Sequence, residues 1–401
     1  MSSFEEFIST AVRDGILPGV VLYAQDKSGR LNYSKVIGAE NAPHLPPLEH
    51  SATLWLASAT KLITTTAALQ LVERGKITLD EDVTHLLPVL ASQPILSGFS
   101  DTGEPILSGF SDTGEPILSP RKNAITLRQL LTHSAGTAYD FISADKIQRW
   151  QLLNGKTPIS GSHVEERYAY PSIYEPGTSW EYSNAIDWAG CVVEVMSGQD
   201  LESYMRENIF EPLGLKSFTF KTENVKDTLW PLSARDPATG KVVPYTGKYL
   251  NDGAETPLGG QGLHGRMDEY IHILHSFLVD DGKLLKPETT AEMFKPQLSQ
   301  PSKQRLLRLM EDPSWGAVGD FPNTHEYDWG FGGLLIDGDK HPDRKDRTLI
   351  WSGAANIFWW IDRESGLCGL FGTQIMPAGE AVTKKYIKAF EDEMYAQVRA
   401  L

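Results

Sequence analysis

LASATKLITTTAALQLVERGK (residues 56–76) sets a serine, Ser58, three residues ahead of a lysine, Lys61, where an apolar run with helical spacing begins. Leu62, Ile63, Ala67, Leu69, Leu71 and Val72, with Gly75 as terminator, predict a buried helix of about seventeen residues opening at Ser58. Positions three apart share a helix face, so the Lys61 amine can lie beside the Ser58 hydroxyl. Amides of the first turn and the helix macrodipole favour negative charge developing near Ser58. A lysine in water has a pKa of about 10.4, yet burial in a closed cleft lowers such a group by up to about 3–5 pH units. Neutral Lys61 could then take the serine proton. This stretch alone leaves a second reading open, in which Ser58 caps the helix and Lys61 points to solvent. The same spacing occurs as SPRK (residues 119–122) and SADK (residues 143–146). SPRK lies beside a proline in a loop and SADK precedes a polar stretch, so only Ser58 gains a rigid platform.

Strand signals sit at both ends of the chain. A capping-box start at Ser3 and Glu6 opens a first helix to about residue 14, where Gly15 and Pro18 stop it. GVVLYAQD (residues 19–26), the turn KSG and RLNYSKVIG (residues 30–38) predict a hairpin. Residues 329–338, 347–362 and 366–375 predict three more strands, and a last helix covers about residues 380–398. The fold expected is α+β: an antiparallel sheet built from residues 1–80 and 310–401, with residues 81–309 inserted as a mainly helical lobe and a cleft between the two. Within the lobe, PILSGFSDTGE recurs unchanged at residues 94–104 and 105–115, and PILS begins again at residue 116. Two copies make no solenoid, and the Gly, Ser, Asp and Pro content predicts an enlarged surface loop. Its GFSDTG lacks the spacing and setting of a nucleophile elbow, which excludes Ser100 and Ser111 as nucleophiles.

The 401 residues are 41% apolar and 22% charged, enough for a sizeable core. A net charge of −15 without a basic stripe argues against nucleic acid. No stretch approaches the about eighteen apolar residues of a membrane span. MSSFEEFISTAV, at residues 1–12, has no basic region followed by an apolar core, and a cytoplasmic protein is expected. Cys191 and Cys368 carry no metal-like spacing and fit two buried thiols, with a disulfide between them left open. No clustered His, Asp or HExxH set calls for a metal, and no cofactor is expected.

Two further constellations join the first. In PGTSWEYSNAIDWAG (residues 176–190), Tyr182, Ser183 and Asn184 lie between a Pro-Gly turn and a helical run. A tyrosine near a lysine can relay its proton to a leaving group, and an asparagine can fix the lysine or bind substrate. In TLIWSGAANIFWW (residues 348–360), Trp351, Ser352, Gly353 and Ala354 interrupt a β-rich run with small residues. A strand glycine marks a bulge or a close approach to the backbone. Free N–H groups here, with that of Ser58, would form an oxyanion hole.

In this order and setting the three patterns resemble the serine β-lactamases, the penicillin-recognising peptidases and their esterase and acyltransferase relatives. ITLRQLLTHSAGT (residues 125–137), VERGKITLDEDV (residues 72–83) and LGGQGL (residues 258–263) extend the likeness over nearly the whole chain. Within that group, LPPLEHSATLWLASATKL, YSNAIDWAG and ANIFWWID look like the fungal statin-side-chain acyltransferases; the second repeat copy is surplus to it. The resemblance implies Ser58 as acylated nucleophile, Lys61 as its base, Tyr182 as proton relay, and the amides of Ser58 and Ala354 as oxyanion hole. Asn184, Trp351, Ser352 and Gly353 are the substrate-binding candidates. A Lys/His-Thr-Gly motif is replaced by Trp351-Ser352-Gly353, which removes the cation expected to bind a β-lactam carboxylate and favours the esterase and acyltransferase branch. The expected partners are a small-molecule alcohol acceptor and an ester or thioester donor, which an acyl-carrier domain could present; no oligomeric state is implied. A carboxylesterase is the alternative activity, and a catalytically silent ligand-binding protein of the same fold the alternative class. His133 and His264 are taken as structural. Trp55, Trp180, Trp329, Trp359 and Trp360 are read as lining an acyl pocket or as core.

Overall fold

The computed structural model describes residues 3–38, 45–100, 105–106, 109–110, 114–312 and 315–401. The amphipathic start folds as α1 (Ser3–Arg13), followed by the expected hairpin of β1 (Gly19–Asp26) and β2 (Asn32–Gly38). From the far end of the chain come β3 (Tyr327–Trp329), β4 (Leu334–Ile336), β5 (Leu349–Gly353), β6 (Ile357–Asp362) and β7 (Leu367–Gly372). These seven strands pair in the order β3-β4-β5-β6-β7-β1-β2, antiparallel throughout. β1 meets β7 from Val21 opposite Gly372 to Asp26 opposite Leu367, which joins the two chain ends in one sheet as expected.

Two of the expected strands are hairpins instead. Residues 329–338 fold back because Gly330 donates its N–H to the Gly333 carbonyl at 3.0 Å and Gly332 takes φ +101°. Residues 347–362 divide at a turn over residues 354–356, where Asn356 takes φ +63°. Its side-chain amide donates to the carbonyls of Ile375 and Pro377, both at 2.8 Å, and pins that turn.

The sheet is covered on both faces. On one lie α1 and the C-terminal helix α5 (Ala381–Arg399), whose Phe390 ring sits 6.1 Å from that of Phe4 and 5.6 Å from that of Trp360. On the other lies α4 (Met267–Val279), and α2 (Thr60–Glu73) follows a turn that meets the end of β5. α2 is buried from Thr60 to Leu71, so it shows no polar stripe. α3 (Ala185–Ser197) packs on α2 and links it to the helical region. α4 falls within the stretch expected as the inserted lobe, yet it packs on β1, β6 and β7. A Cβ at Gly372 would meet the Met267 side chain at 3.0 Å, so small residues in β7 let that helix close in.

The repeat is a ribbon where it is described. Ile95–Phe99 pairs with Pro116–Ser119, Leu96 is buried, and Pro105–Ile106 pairs with Gly109–Phe110. Ser100 is exposed at the ribbon's end and Ser111 lies outside the described residues. Cys191 and Cys368 are free thiols. No helix among the described residues is long and apolar enough to cross a membrane.

Candidate active site

Ser58 does not cap a helix. It occupies a 3-10 turn, Ala57–Ala59, that runs into α2 at Thr60, and no side chain caps either start. Ala57 takes φ +46°, a left-handed conformation that costs a non-glycine residue energy and turns the chain sharply before Ser58. Two neighbours fix the turn. The segment at residues 258–264 runs alongside, with Leu56 donating its N–H to the Leu263 carbonyl at 2.9 Å. The end of β5 lies against the turn so closely that a Cβ on Gly353 would stand 2.3 Å from the Leu56 carbonyl oxygen. β5 and β6 keep their register without a shift there, so Gly353 serves close approach and makes no bulge.

One turn into the helix, Lys61 is 1% exposed. Its Nζ lies 3.2 Å from Ser58 Oγ, 3.2 Å from the Tyr139 hydroxyl and 2.8 Å from the Gly260 carbonyl oxygen, and 4.6 Å from the centre of the Tyr182 ring. Burial pushes its pKa down to about 7, with Asp187 pulling the other way. Burial raises the Asp187 carboxyl, against Lys61, the Gly260 N–H, the Tyr139 hydroxyl and Arg167. His133 lies within the field of Lys61 and is driven well below the ordinary histidine range by burial and that charge, so its imidazole is neutral.

Tyr182, on the loop before α3, hydrogen-bonds to Ser58 and accepts the Trp351 indole N–H at 3.0 Å. Burial raises its pKa, so it is a neutral phenol at physiological pH. Rings wall it in: His133 at 4.7 Å, Trp351 at 5.0 Å and Trp329 at 6.3 Å between centroids. The Tyr182 hydroxyl thus meets both Trp351 and Ser58, and Ser58 Oγ also meets Lys61 Nζ, so the three polar groups form one connected chain. An arrangement of this kind can acylate Ser58 and return protons to a leaving group.

Other expected residues are placed differently. The Asn184 amide donates to the Ala138 carbonyl at 3.1 Å and the Tyr170 hydroxyl at 2.8 Å, so it ties the Tyr139 loop to the start of α3 and does not hold Lys61. Ser352 is opposite Phe358, whose ring packs on Trp360 at 5.9 Å, on the α5 side of the sheet. Strand alternation sends the Ser352 side chain away from the face of Trp351, which removes it from the substrate-binding set. Trp351 engages its N–H with the Tyr182 hydroxyl. Trp360 packs toward α5, Trp359 and Trp180 are buried core, and Trp329 backs Tyr182. Trp55 alone of the five joins an apolar wall beside the Ala57–Ala59 turn, with Ala57, Leu232 and Ala355 buried and Tyr249, Leu250, Ala354 and Met376 partly open. His264 is buried in a short strand paired with Trp55, and burial lowers its pKa to about 4.

Residues 4–391 match the Beta-lactamase protein family. The chain belongs to that family. It is 36% identical over 399 residues to the monacolin J acid methylbutanoyltransferase of Aspergillus terreus, covering 96% of this chain and 94% of that one. It is 34% identical over 400 residues to the lovastatin esterase of Penicillium rubens, covering 97% of each. A solved mutant of the simvastatin synthase from Aspergillus terreus superposes with a TM-score of 0.88 at 35% identity, covering 99% of this chain and 95% of that one. The fold is the β-lactamase and transpeptidase fold, and the protein is an acyltransferase or esterase of that fold.

Tyr139, Asp187 and Gly260 went unmarked as site residues. Their stretches were legible, since Asp187 lies in YSNAIDWAG and Gly260 in LGGQGL. What was missing was a rule linking a buried acid or a glycine carbonyl to a lysine far away in sequence.

Proposed function

We propose that the protein is a Ser–Lys–Tyr acyltransferase that moves an acyl group from an ester or thioester donor to an alcohol of a secondary metabolite through an acyl-Ser58 intermediate. Lys61 Nζ takes the Ser58 proton as Oγ bonds to the acyl carbon. The amides of Ser58 and Ala354 hold the oxyanion, worth about 2.7–4 kcal/mol per donor. Collapse expels the thiolate or alkoxide, which takes a proton through Tyr182 from Lys61. An alcohol then enters, gives its proton to Lys61 by the same route and bonds to the acyl carbon, expelling Ser58 Oγ, which takes a proton back from Lys61.

The observation that carries this reading is the set of partners around Lys61. A free amine has two N–H donors and one lone pair, and two acceptors already face it from Gly260 and Tyr139. As the ammonium, Lys61 donates to Ser58 as well, and on losing a proton while keeping Gly260 and Tyr139 it turns its lone pair to Ser58. Support for an oxyanion hole comes from the close approach of Gly353 to Leu56, which brings the Ala354 backbone to the nucleophile turn. The apolar wall of Trp55, Tyr249 and Leu250 suits an acyl chain or a polyketide ring. The methylbutanoyltransferase relative supports a short branched acyl group and a polyketide alcohol as the first pair to assay.

A plain carboxylesterase is the second reading, favoured by the lovastatin esterase relative. Offering a short-chain acyl thioester together with a polyketide alcohol in water separates the two. Ester product in excess of free acid is expected, and free acid alone overturns transfer in favour of hydrolysis.

A further inference from the structure

The geometry points to Asp187 as a positioning residue that aims the Lys61 lone pair at Ser58, acting through Tyr139 and Gly260. The inference rests on Ser58 as nucleophile and Lys61 as its base. Asp187 is fully buried at the start of α3. One carboxylate oxygen accepts the Tyr139 O–H at 3.0 Å and the other accepts the Gly260 N–H at 2.9 Å. Lys61 reaches the Tyr139 oxygen and the Gly260 carbonyl, so the four residues close a ring of hydrogen bonds. The ring has no room to spare: a Cβ on Gly260 would stand 2.3 Å from Asp187 Oδ2 and 2.7 Å from the Tyr139 hydroxyl.

Donor and acceptor counts give the ring a direction. A carboxylate only accepts, so it claims the single Tyr139 hydrogen and presents the Tyr139 oxygen to Lys61 as an acceptor. With Gly260 as the second acceptor, both N–H bonds of the free amine point into the ring. Only Ser58 then faces the lone pair with a proton to give.

Replacing Asp187 by asparagine reverses one link while keeping the shape. The amide oxygen still accepts the Gly260 N–H, but the amide N–H₂ now faces Tyr139 as a donor. Tyr139 must turn its own O–H toward Lys61, where it competes with Ser58 for the lone pair. Removing that hydroxyl in the asparagine background takes the competitor away. A role confined to stability would show in thermal melting and leave the acylation rate of the folded chain unchanged.

The experiment follows the rate of Ser58 acylation by a short-chain acyl thioester, using intact mass, in the wild type, Asp187→Asn, Tyr139→Phe and the double variant. Asp187→Asn is expected to slow acylation by about 100-fold, and the double variant to be about tenfold faster than Asp187→Asn alone. A double variant no faster than Asp187→Asn, or an Asp187→Asn chain as fast as the wild type, overturns the inference. Should Asp187→Asn fail to fold, Tyr139→Phe decides: with an unchanged thermal melt, acylation up to about tenfold slower than wild type is expected because Lys61 loses one of the two acceptors that hold its N–H bonds, and a rate equal to wild type overturns the inference. A wild type that forms no adduct on Ser58 removes the reading beneath the inference as well. Adduct formation in the wild type with no recovery in the double variant removes the inference alone.

Discussion

The Trp351 indole N–H donates to the Tyr182 hydroxyl at 3.0 Å, and this bond holds the phenol oxygen in place beside Ser58. The same hydroxyl hydrogen-bonds to Ser58, so Trp351 holds in place the group that the proposed relay uses. Trp351→Phe keeps the ring wall and deletes the donor. A hydrogen bond of this sort is worth about 1 kcal/mol, so kcat is expected to fall by roughly tenfold with KM little changed. Tyr182→Phe removes the relay itself and is expected to cost about 10²–10⁴-fold. Steady-state kinetics of both variants on one thioester checks the order, and an equal effect of the two would contradict it.

A pH profile reports on Lys61. A lysine acts as a base only as the free amine, and burial lowers the Lys61 pKa to about 7. In the folded protein kcat/KM is therefore expected to rise with pH and to level off above about 7. Phenols at Tyr139, Tyr168 and Tyr182 are pushed up by burial and stay protonated through this range, while His133 stays neutral. The stability sign follows the same logic. Between about 7 and 10.5 the unfolded chain holds a proton on this lysine that the folded chain has released, so stability rises with pH across that window as far as Lys61 is concerned. An acylation rate that falls as pH rises through 7 would contradict a lysine base.

Gly353→Ala tests how the end of β5 meets the nucleophile turn. The added methyl would press on the Leu56 carbonyl oxygen from 2.3 Å, and both are backbone-bound, so one must shift. A displaced Ala354 amide is expected to lower kcat by about 10²–10³-fold. The stability loss from such overpacking is about 1–3 kcal/mol, and thermal melting separates that from unfolding. Wild-type kinetics in a folded Gly353→Ala chain would remove Ala354 from the oxyanion hole.

The duplicated segment offers a deletion with only one possible product, since removing residues 94–104 or residues 105–115 leaves the same sequence. Either way one PILSGF remains to pair with the PILS that begins at Pro116, as Ile95–Phe99 pairs with Pro116–Ser119 now. Closing the shorter loop is expected to raise stability by up to about 1 kcal/mol, with kcat/KM unchanged. A loss of activity with unchanged folding would mean that the second copy contributes to the cleft.

Trp55 and Tyr249, with ring centroids 5.6 Å apart, stand beside Ala57 and Ala355 next to the nucleophile turn. Tyr249→Ala is expected to weaken discrimination between acyl chains differing by one carbon, worth about 1–3 kcal/mol per methylene where the chain meets an apolar wall. A competition between two thioesters in one tube measures the ratio, and an unchanged ratio would place acyl selection elsewhere.

Local chemistry was readable in the sequence, and closure across the fold was not. Ser58 and Lys61 meet because they are three apart, which spacing alone can say. The chain ends pair as the apolar β-rich runs at residues 19–26 and 366–375 suggested. Residues 329–338 looked like a single strand because their apolar content masks a turn that only glycines at 330, 332 and 333 permit. Ser352 looked like a lining residue until its place opposite Phe358 fixed the face. The ring of Lys61, Tyr139, Asp187 and Gly260 joins residues as much as 199 positions apart, and no period or motif encodes such a contact.

Intact mass of the protein after incubation with a short-chain acyl thioester tests the central claim most directly. The account predicts one added acyl group on the wild type, mapped by peptide digestion to Ser58, and none on Ser58→Ala. An adduct that persists on Ser58→Ala, or a wild type that turns over thioester without acylating Ser58, would contradict it.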